Sequence, residues 1–243
     1  DRGAPVALGE LSFPSLTAMR TRILHALIET SARPDAMRRL RVAPSMEEQV
    51  ARNAALLGLL ARPALEVYVG SLHRGLDAAT LSPVASARAA DGLIVASALW
   101  GALRPADRIP PYRLDICARL VGMDRLEPAW RTVLPDVLAA AAGGDGIVLD
   151  LRSPGYQAIG TPAGASDRTV TLRVRQHGAD GRRIGDATAK RVRGQVARHL
   201  LESGADPGDA DALAVVLGER WPVLLDAPPR PGKPWQLAVT VTA

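Results

Sequence analysis

The sequence predicts a single mixed α/β domain over residues 1–243, with a central mixed sheet flanked by helices. Three observations predict it. Strand-like and helix-like stretches interleave along the chain instead of segregating. Thr169–Arg175 (TVTLRVR) alternates strictly, with Val170, Leu172 and Val174 on one face and Thr171, Arg173 and Arg175 on the other, the period of a half-buried strand. A hydrophobic content of 47% against 23% charged residues leaves enough apolar surface for a sizeable core.

The elements follow in order. Thr17–Ser31 carries Met19, Ile23, Ala26 and Leu27 at helical spacing behind a Thr17 cap. Asp35–Arg41 and Ser45–Ala61 continue as helices, the second opened by a Ser45/Glu48 capping box, and Pro34, Pro44 and Pro63 punctuate them. Leu65–Gly70 (LEVYVG) and Leu93–Ala98 (LIVASA) are strand-like, with a helix beginning near Ser82-Pro83 between them, a β–α–β order. Pro128–Ala142 is an Ala-rich helix in which Pro135 marks a kink or break. Gly143-Gly144 ends it, and Gly146–Leu151 (GIVLDL) is a buried strand. The alternating strand then turns at Gly178–Gly181 and returns through Arg183–Thr188 as a hairpin. Ala189–Ser203 is an amphipathic helix ending before Gly204, and Asp209–Gly218 is another. Trp221–Leu225 and Trp235–Val241 close the sheet around a Pro-rich loop.

Composition removes several function classes. One Cys excludes a disulfide framework and a cysteine zinc cluster. No apolar run approaches the ~18 residues of a membrane span, and Asp1–Glu10 shows no signal-peptide pattern. The expected location is cytoplasmic, away from membranes. The first residue is not Met, so leader residues are expected to be missing. The sequence has no P-loop, no GxGxxG after a strand and no HExxH. His25, His73, His177 and His199 are scattered, so neither a metal nor a cofactor is expected.

The basic residues are 28 Arg and 2 Lys, a skew that makes Arg uninformative one residue at a time. Position says more. From Arg168 to Arg198, eight Arg and one Lys face two Asp, a local charge of +7 against +5 for the whole chain. One segment therefore supplies the entire basic excess, the kind of field that attracts phosphates through counterion release.

Three polar clusters could carry chemistry. Arg104–Asp115 (RPADRIPPYRLD) is stiffened by three prolines and displays Arg104, Asp107, Arg108, Tyr112, Arg113 and Asp115. Its Arg forks either hold an anionic ligand or form an Arg–Asp network bracing a long loop. Asp150–Tyr156 (DLRSPGY) starts at the C-terminal end of a buried strand, where open α/β sheets place ligands. Asp150, Arg152, Ser153 and Tyr156 form either a polar pocket or a strand-end turn. Lys190-Arg191-Val192-Arg193-Gly194 opens a helix, whose amides favour an anion. Lys190 can be a base or nucleophile if desolvated, and a phosphate contact otherwise.

Four blocks in this order carry a resemblance: EVYVGSLHRGLD (66–77), SALWGALRPADRIPPYRLDI (97–116), DLRSPGY (150–156) and AKRVRGQVARHLLE (189–202). Together they resemble the YaaA family, which takes its name from a bacterial peroxide-stress protein. The similarity runs from about Leu65 to Glu202, with weaker agreement at Arg52–Leu57 and at the C-terminus. The resemblance implies a cytoplasmic protein that helps bacteria survive hydrogen peroxide by limiting unincorporated iron. It also implies a mixed α/β domain with a positively charged cleft, a helix-hairpin-helix-like element and DNA binding. The hairpin would fall on the glycine turn around Trp100–Pro105. The family's Lys-x-x-Arg-Gly motif falls on Lys190, Arg193 and Gly194, and its Tyr-Arg pair on Tyr112 and Arg113.

Two departures stand out. The family's N-terminal strand and Pro-Ser/Ala-x-Lys loop are not in this sequence. The aromatic residue and Asn that precede the motif Lys are replaced by Asp186-Ala187-Thr188-Ala189, which removes a stacking platform for bases. The leading expectation is sequence-independent binding of duplex DNA, with Arg104, Arg108, Tyr112, Arg113, Arg152, Tyr156, Arg173, Arg175, Lys190 and Arg193 as the binding set. The alternative is a biosynthetic enzyme acting on a small anionic or nucleotide-like substrate. In that reading Arg113 and Arg152 hold the anion, and Lys190, Tyr112 or Asp150 performs the chemistry.

Overall fold

The computed structural model describes residues 3–177 and 184–242. It is mixed α/β, as expected. In chain order the helices are α1 (Thr17–Ser31), α2 (Ala36–Leu40), α3 (Glu47–Asn53), α4 (Ala64–Val67), α5 (Ser71–Leu76) and α6 (Pro83–Gly92), followed by α7 (Leu126–Arg131), α8 (Leu134–Ala142), α9 (Pro154–Gln157), α10 (Asp186–Ser203) and α11 (Ala210–Gly218). The strands are β1 (Arg62–Pro63), β2 (Val95–Ser97), β3 (Gly101–Leu103), β4 (Arg108–Ile109), β5 (Val148–Asp150), β6 (Thr169–His177), β7 (Val223–Asp226) and β8 (Trp235–Thr242). The chain forms two compact units. The first comprises Asp1–Val67, Leu93–Leu138 and Pro154–Thr161; the second comprises Tyr68–Gly92, Ala139–Ser153 and Pro162–Ala243. Among the described residues, no helix is long and apolar enough to cross a membrane.

In the first unit, α1 buries Ile23, Leu24, Ala26 and Leu27 along one stripe, as the spacing requires. Thr17 does not cap it: a 3₁₀ turn at Pro14–Leu16 runs directly into the helix, and the Thr17 N–H bonds to Pro14 O. Arg20 on the same helix is fully buried. Its Nε donates to Trp100 O at 2.9 Å, and one terminal nitrogen donates to Ser12 O and Ala102 O at 2.8 and 2.7 Å. Burial brings this guanidinium down to about 10, opposed by the charge of Asp107. Two of those carbonyls belong to the β2–β3 hairpin, an antiparallel pair turning through Ala98–Trp100. Gly101 adopts φ +75° there, and Trp130 of α7 packs against it while its indole N–H donates to Ala98 O at 2.8 Å.

Several local expectations are corrected in this unit. Ser45–Ala61 is not one helix; α3 covers Glu47–Asn53, with 3₁₀ turns at Pro44–Met46 and Leu56–Gly58. No side chain caps α3, so the Ser45/Glu48 box is not made. LEVYVG is not a strand: β1 ends at Pro63, and Ala64–Val67 form one helical turn directly after it. Without that strand the β–α–β order fails, and β2 pairs with β3 instead. Pro135 does mark a break. The chain leaves α7 at Arg131 and restarts at Leu134, so the proline occupies the first turn of α8, where it is tolerated.

The second unit holds a four-stranded sheet in the order β5-β6-β8-β7. β5, β6 and β8 are parallel, and β7 runs antiparallel to β8. One face carries Val170, Leu172, Leu237 and Val239 and packs on Val192 and Val196 of α10 and Leu213 and Leu217 of α11. Asp209 caps α11 by accepting the Ala212 N–H at 2.8 Å, and Gly204 at φ +72° ends α10. The predicted turn at Gly178–Gly181 lies outside the described residues. The return strand through Thr188 is corrected: Asp186 already opens α10, and both described neighbours of β6 are parallel strands.

α10 also crosses α5 at two facing glycines. A Cβ on Gly194 would collide with Leu72 O, and one on Gly75 with Arg191 O. Gly194, the last residue of the family motif, is therefore what lets the two backbones touch.

Candidate functional site

In the second unit, β5 delivers Asp150 to its C-terminal end, where the carboxylate is buried. Arg152 grips it: Nε donates to Oδ1 and a terminal nitrogen to Oδ2, both at 2.8 Å, while the Arg152 N–H donates to Oδ1 at 3.0 Å. The pair is a charge-assisted strand-end turn. Asp150 is compensated by its own neighbour and is not an unpaired base.

α10 contributes the other group. Lys190 Nζ lies 2.6 Å from Asp186 Oδ2 across one helical turn, with the lysine side chain 42% exposed. That is a solvated helix-face ion pair, not the desolvated amine that base or nucleophile chemistry requires. Arg193 is half-buried, and its Nε is buried with no hydrogen-bond acceptor. Burial lowers its pKa, while the charges of Asp186 and Asp150 act in the opposite direction.

Arg173 and Arg175 stand on the other side of the sheet. They alternate with the core residues of β6, so they project from the face opposite α10 and α11. Among the described residues, Arg175 makes one long contact, 4.0 Å to Asp226. Arg173 and the exposed Arg191 make no side-chain hydrogen bond or ion pair among the described residues. Among the described residues, Arg173 and Arg175 thus lie on one face of the sheet and the cations of α10 on the side of the other.

In the first unit the Arg104–Asp115 loop divides in two. Its first half braces the fold. Asp107 accepts the Ser12 N–H and hydroxyl at 2.9 and 2.8 Å and the Arg104 N–H at 2.9 Å. The Arg104 guanidinium lies 5.6 Å over the Phe13 ring, and Arg108 donates to Ala61 O at 2.8 Å.

The second half is presented differently. The Tyr112 hydroxyl sits 2.7 Å from Ser97 Oγ, which accepts the Trp100 N–H at 2.9 Å, and its ring meets Trp100 edge-on. The backbone of Arg113 is clamped by the fully buried Asn53: the Arg113 N–H donates to Oδ1 at 2.9 Å, and Nδ2 donates to Arg113 O at 2.8 Å. Tyr156 joins them from α9. Burial first, then Tyr112 and Asp115, push its phenol well above the ordinary range, while Arg113 and the Ala98 N–H act the other way.

The structure therefore groups Tyr112, Arg113 and Tyr156 in one unit, and Asp150, Arg152, Lys190 and Arg193 in the other. Sequence reasoning missed Ser97 and Asn53, the residues that hold Tyr112 and Arg113. Trp100–Pro105, where the resemblance placed a helix-hairpin-helix-like element, forms the end of a tight turn and strand β3. In the second unit, α5 and α6 are joined through Asp77 at φ +48° and a 3₁₀ turn at Ala78–Thr80. Arg198 of α10 pins that turn by donating to Leu76 O, Asp77 O and Thr80 Oγ1 at 3.1, 2.8 and 2.9 Å.

Comparison with known proteins adds the relationship. The family model described as "Peroxide stress protein YaaA" matches residues 7–217. A UPF0246 protein of Streptomyces coelicolor is 41% identical over 244 residues, covering 99% of this chain and 93% of that protein. One from Corynebacterium efficiens is 36% identical over 217 residues, covering 87% and 84%. Another, from Corynebacterium glutamicum, is 32% identical over 214 residues, covering 86% and 82%. The blocks around Tyr112-Arg113 and Lys190–Gly194 lie inside the matched span, and the chain belongs to the YaaA peroxide stress protein family.

Proposed function

We propose that this member of a peroxide-stress family binds duplex DNA through the phosphate backbone, using the cationic side chains of the second unit. The observation that carries the reading is that Arg173 and Arg191 are cations with no acidic partner among the described residues. Among the described residues, their neighbours Arg175 and Lys190 are tied only to the exposed carboxylates Asp226 and Asp186, surface pairs worth about 0–1 kcal/mol. A phosphate can displace such partners. Phosphate contacts fix position without conveying sequence, and the residues before Lys190 offer no aromatic for stacking. The binding is therefore sequence-independent and electrostatic. An enzyme reading that uses Lys190 as base or nucleophile needs a desolvated amine, which the exposed ion pair with Asp186 does not provide.

Fluorescence anisotropy with a labelled duplex tests this and locates the interface. Removing one phosphate-binding cation flattens the log–log salt slope by about 0.9. If the sheet face binds, Arg173→Ala with Arg175→Ala lowers the slope by about 2 and Arg191→Ala leaves it unchanged. If the helix face binds, Arg191→Ala lowers it and the sheet pair does not. A slope untouched by both sets overturns the assignment of phosphate binding to these cations.

A further inference from the structure

Arginines in this molecule generally find acceptors when they leave bulk solvent. Arg20 donates to three carbonyls, leaving only one terminal nitrogen buried without a partner, Arg152 grips Asp150, and Arg198 holds the turn after α5. Arg113 does not. Its Nε is buried with no hydrogen-bond partner, and its guanidinium makes no hydrogen bond or ion pair among the described residues. Arg193 shares the orphaned Nε, but there Asp150 and Asp186 supply opposing charge.

A buried donor left unsatisfied costs about 1–3 kcal/mol, more for a charged group, and such orphans call for an ion or a water. The setting of Arg113 is also fixed in advance. Asn53 clamps its backbone from both sides, Pro110-Pro111 stiffens the approach, and Ser97 holds the preceding Tyr112. Tyr156 lies within electrostatic reach of Tyr112, Arg113 and the Asp115 carboxylate, and its hydroxyl also takes the Ala98 N–H; burial keeps it a neutral hydroxyl. A guanidinium with an unsatisfied buried donor on a fixed backbone, with two phenols near it, supplies the donors that recognise a tetrahedral or planar oxyanion.

We infer that Arg113, with the hydroxyls of Tyr112 and Tyr156, forms a receptor for the oxyanion of a small molecule, a phosphate ester or a carboxylate. This site lies in the first unit and does not depend on DNA binding by the second.

The test is an NMR titration of the full chain with inorganic phosphate, with acetate and with a short duplex, following the Arg113 Nε–H resonance. The receptor predicts a saturable shift with phosphate or acetate, and the anion that acts identifies the class. Tyr156→Phe, which keeps the ring and its packing, should weaken that binding at least tenfold, as should Arg113→Gln. The duplex should leave the resonance in place and Arg113→Gln should leave the DNA salt slope intact. The inference is overturned if neither small anion shifts the resonance, or if Tyr156→Phe binds as tightly as the parent. It is also overturned if the duplex alone shifts the resonance and Arg113→Gln lowers the salt slope by about 0.9, the signature of one backbone phosphate.

Discussion

Gly101 and His73 show how single residues set stability here. At Gly101 the backbone has φ +75°, and a Cβ would come within 2.6 Å of the Trp130 ring. Gly101→Ala should therefore cost about 1–3 kcal/mol from overpacking, with roughly 1–2 kcal/mol more from the left-handed backbone. Urea denaturation checks it: the midpoint falls while the m value is unchanged. His73 of α5 stacks on Tyr68 at 5.2 Å, and burial lowers its pKa from 6.5 to about 4. The unfolded chain then binds the proton more readily than the folded one. Stability present at neutral pH is lost as pH falls through 6.5 towards 4. His73→Phe, which keeps a stacking ring, should shrink the fall in urea midpoint across that window. Tyr112 and Arg113 were legible in the sequence because prolines stiffen a dense polar loop. Asn53 was not, because an Asn inside a short helix reads as surface. Its burial comes with its bonds to Arg113, which lies 60 residues further along the chain.

The crossing of α5 and α10 is the element-scale feature most exposed to test. Gly194→Ala would drive a methyl into Leu72 O, a rigid backbone atom that cannot step aside. The expected cost is about 1–3 kcal/mol or more, read as a lower urea midpoint. Arg198→Ala removes the donors to Leu76 O, Asp77 O and Thr80. It should raise hydrogen exchange at the turn after α5 far more than in the sheet strands. The elements that periodicity recovered are the ones that bury a regular face: α1, α10, α11 and β6. LEVYVG failed because its β-branched residues have no sheet to join. Val69 is 72% exposed, and Ala64–Val67 form a helical turn directly after β1 instead. The strand expected after β6 failed for a similar reason, since parallel partners already occupy both sides of β6, and parallel pairing between distant segments leaves no local signal.

Across the whole molecule, the amount of charge on the Arg168–Arg198 segment was legible in the sequence, but its direction was not. Strand alternation sends Arg173 and Arg175 to one side of the sheet, while α10 lies on the other. Binding of DNA phosphates by these cations is tested most directly by the affinity of the unmodified protein for a duplex of arbitrary sequence. The useful range is about 50 to 200 mM salt, over which such contacts weaken steeply. Phosphate-backbone binding predicts a linear log–log plot with a slope of about −2 to −4, as expected for two to four phosphate contacts, and the same slope on a second, unrelated duplex. Absence of saturable binding at the low-salt end, or an affinity indifferent to salt, would contradict it.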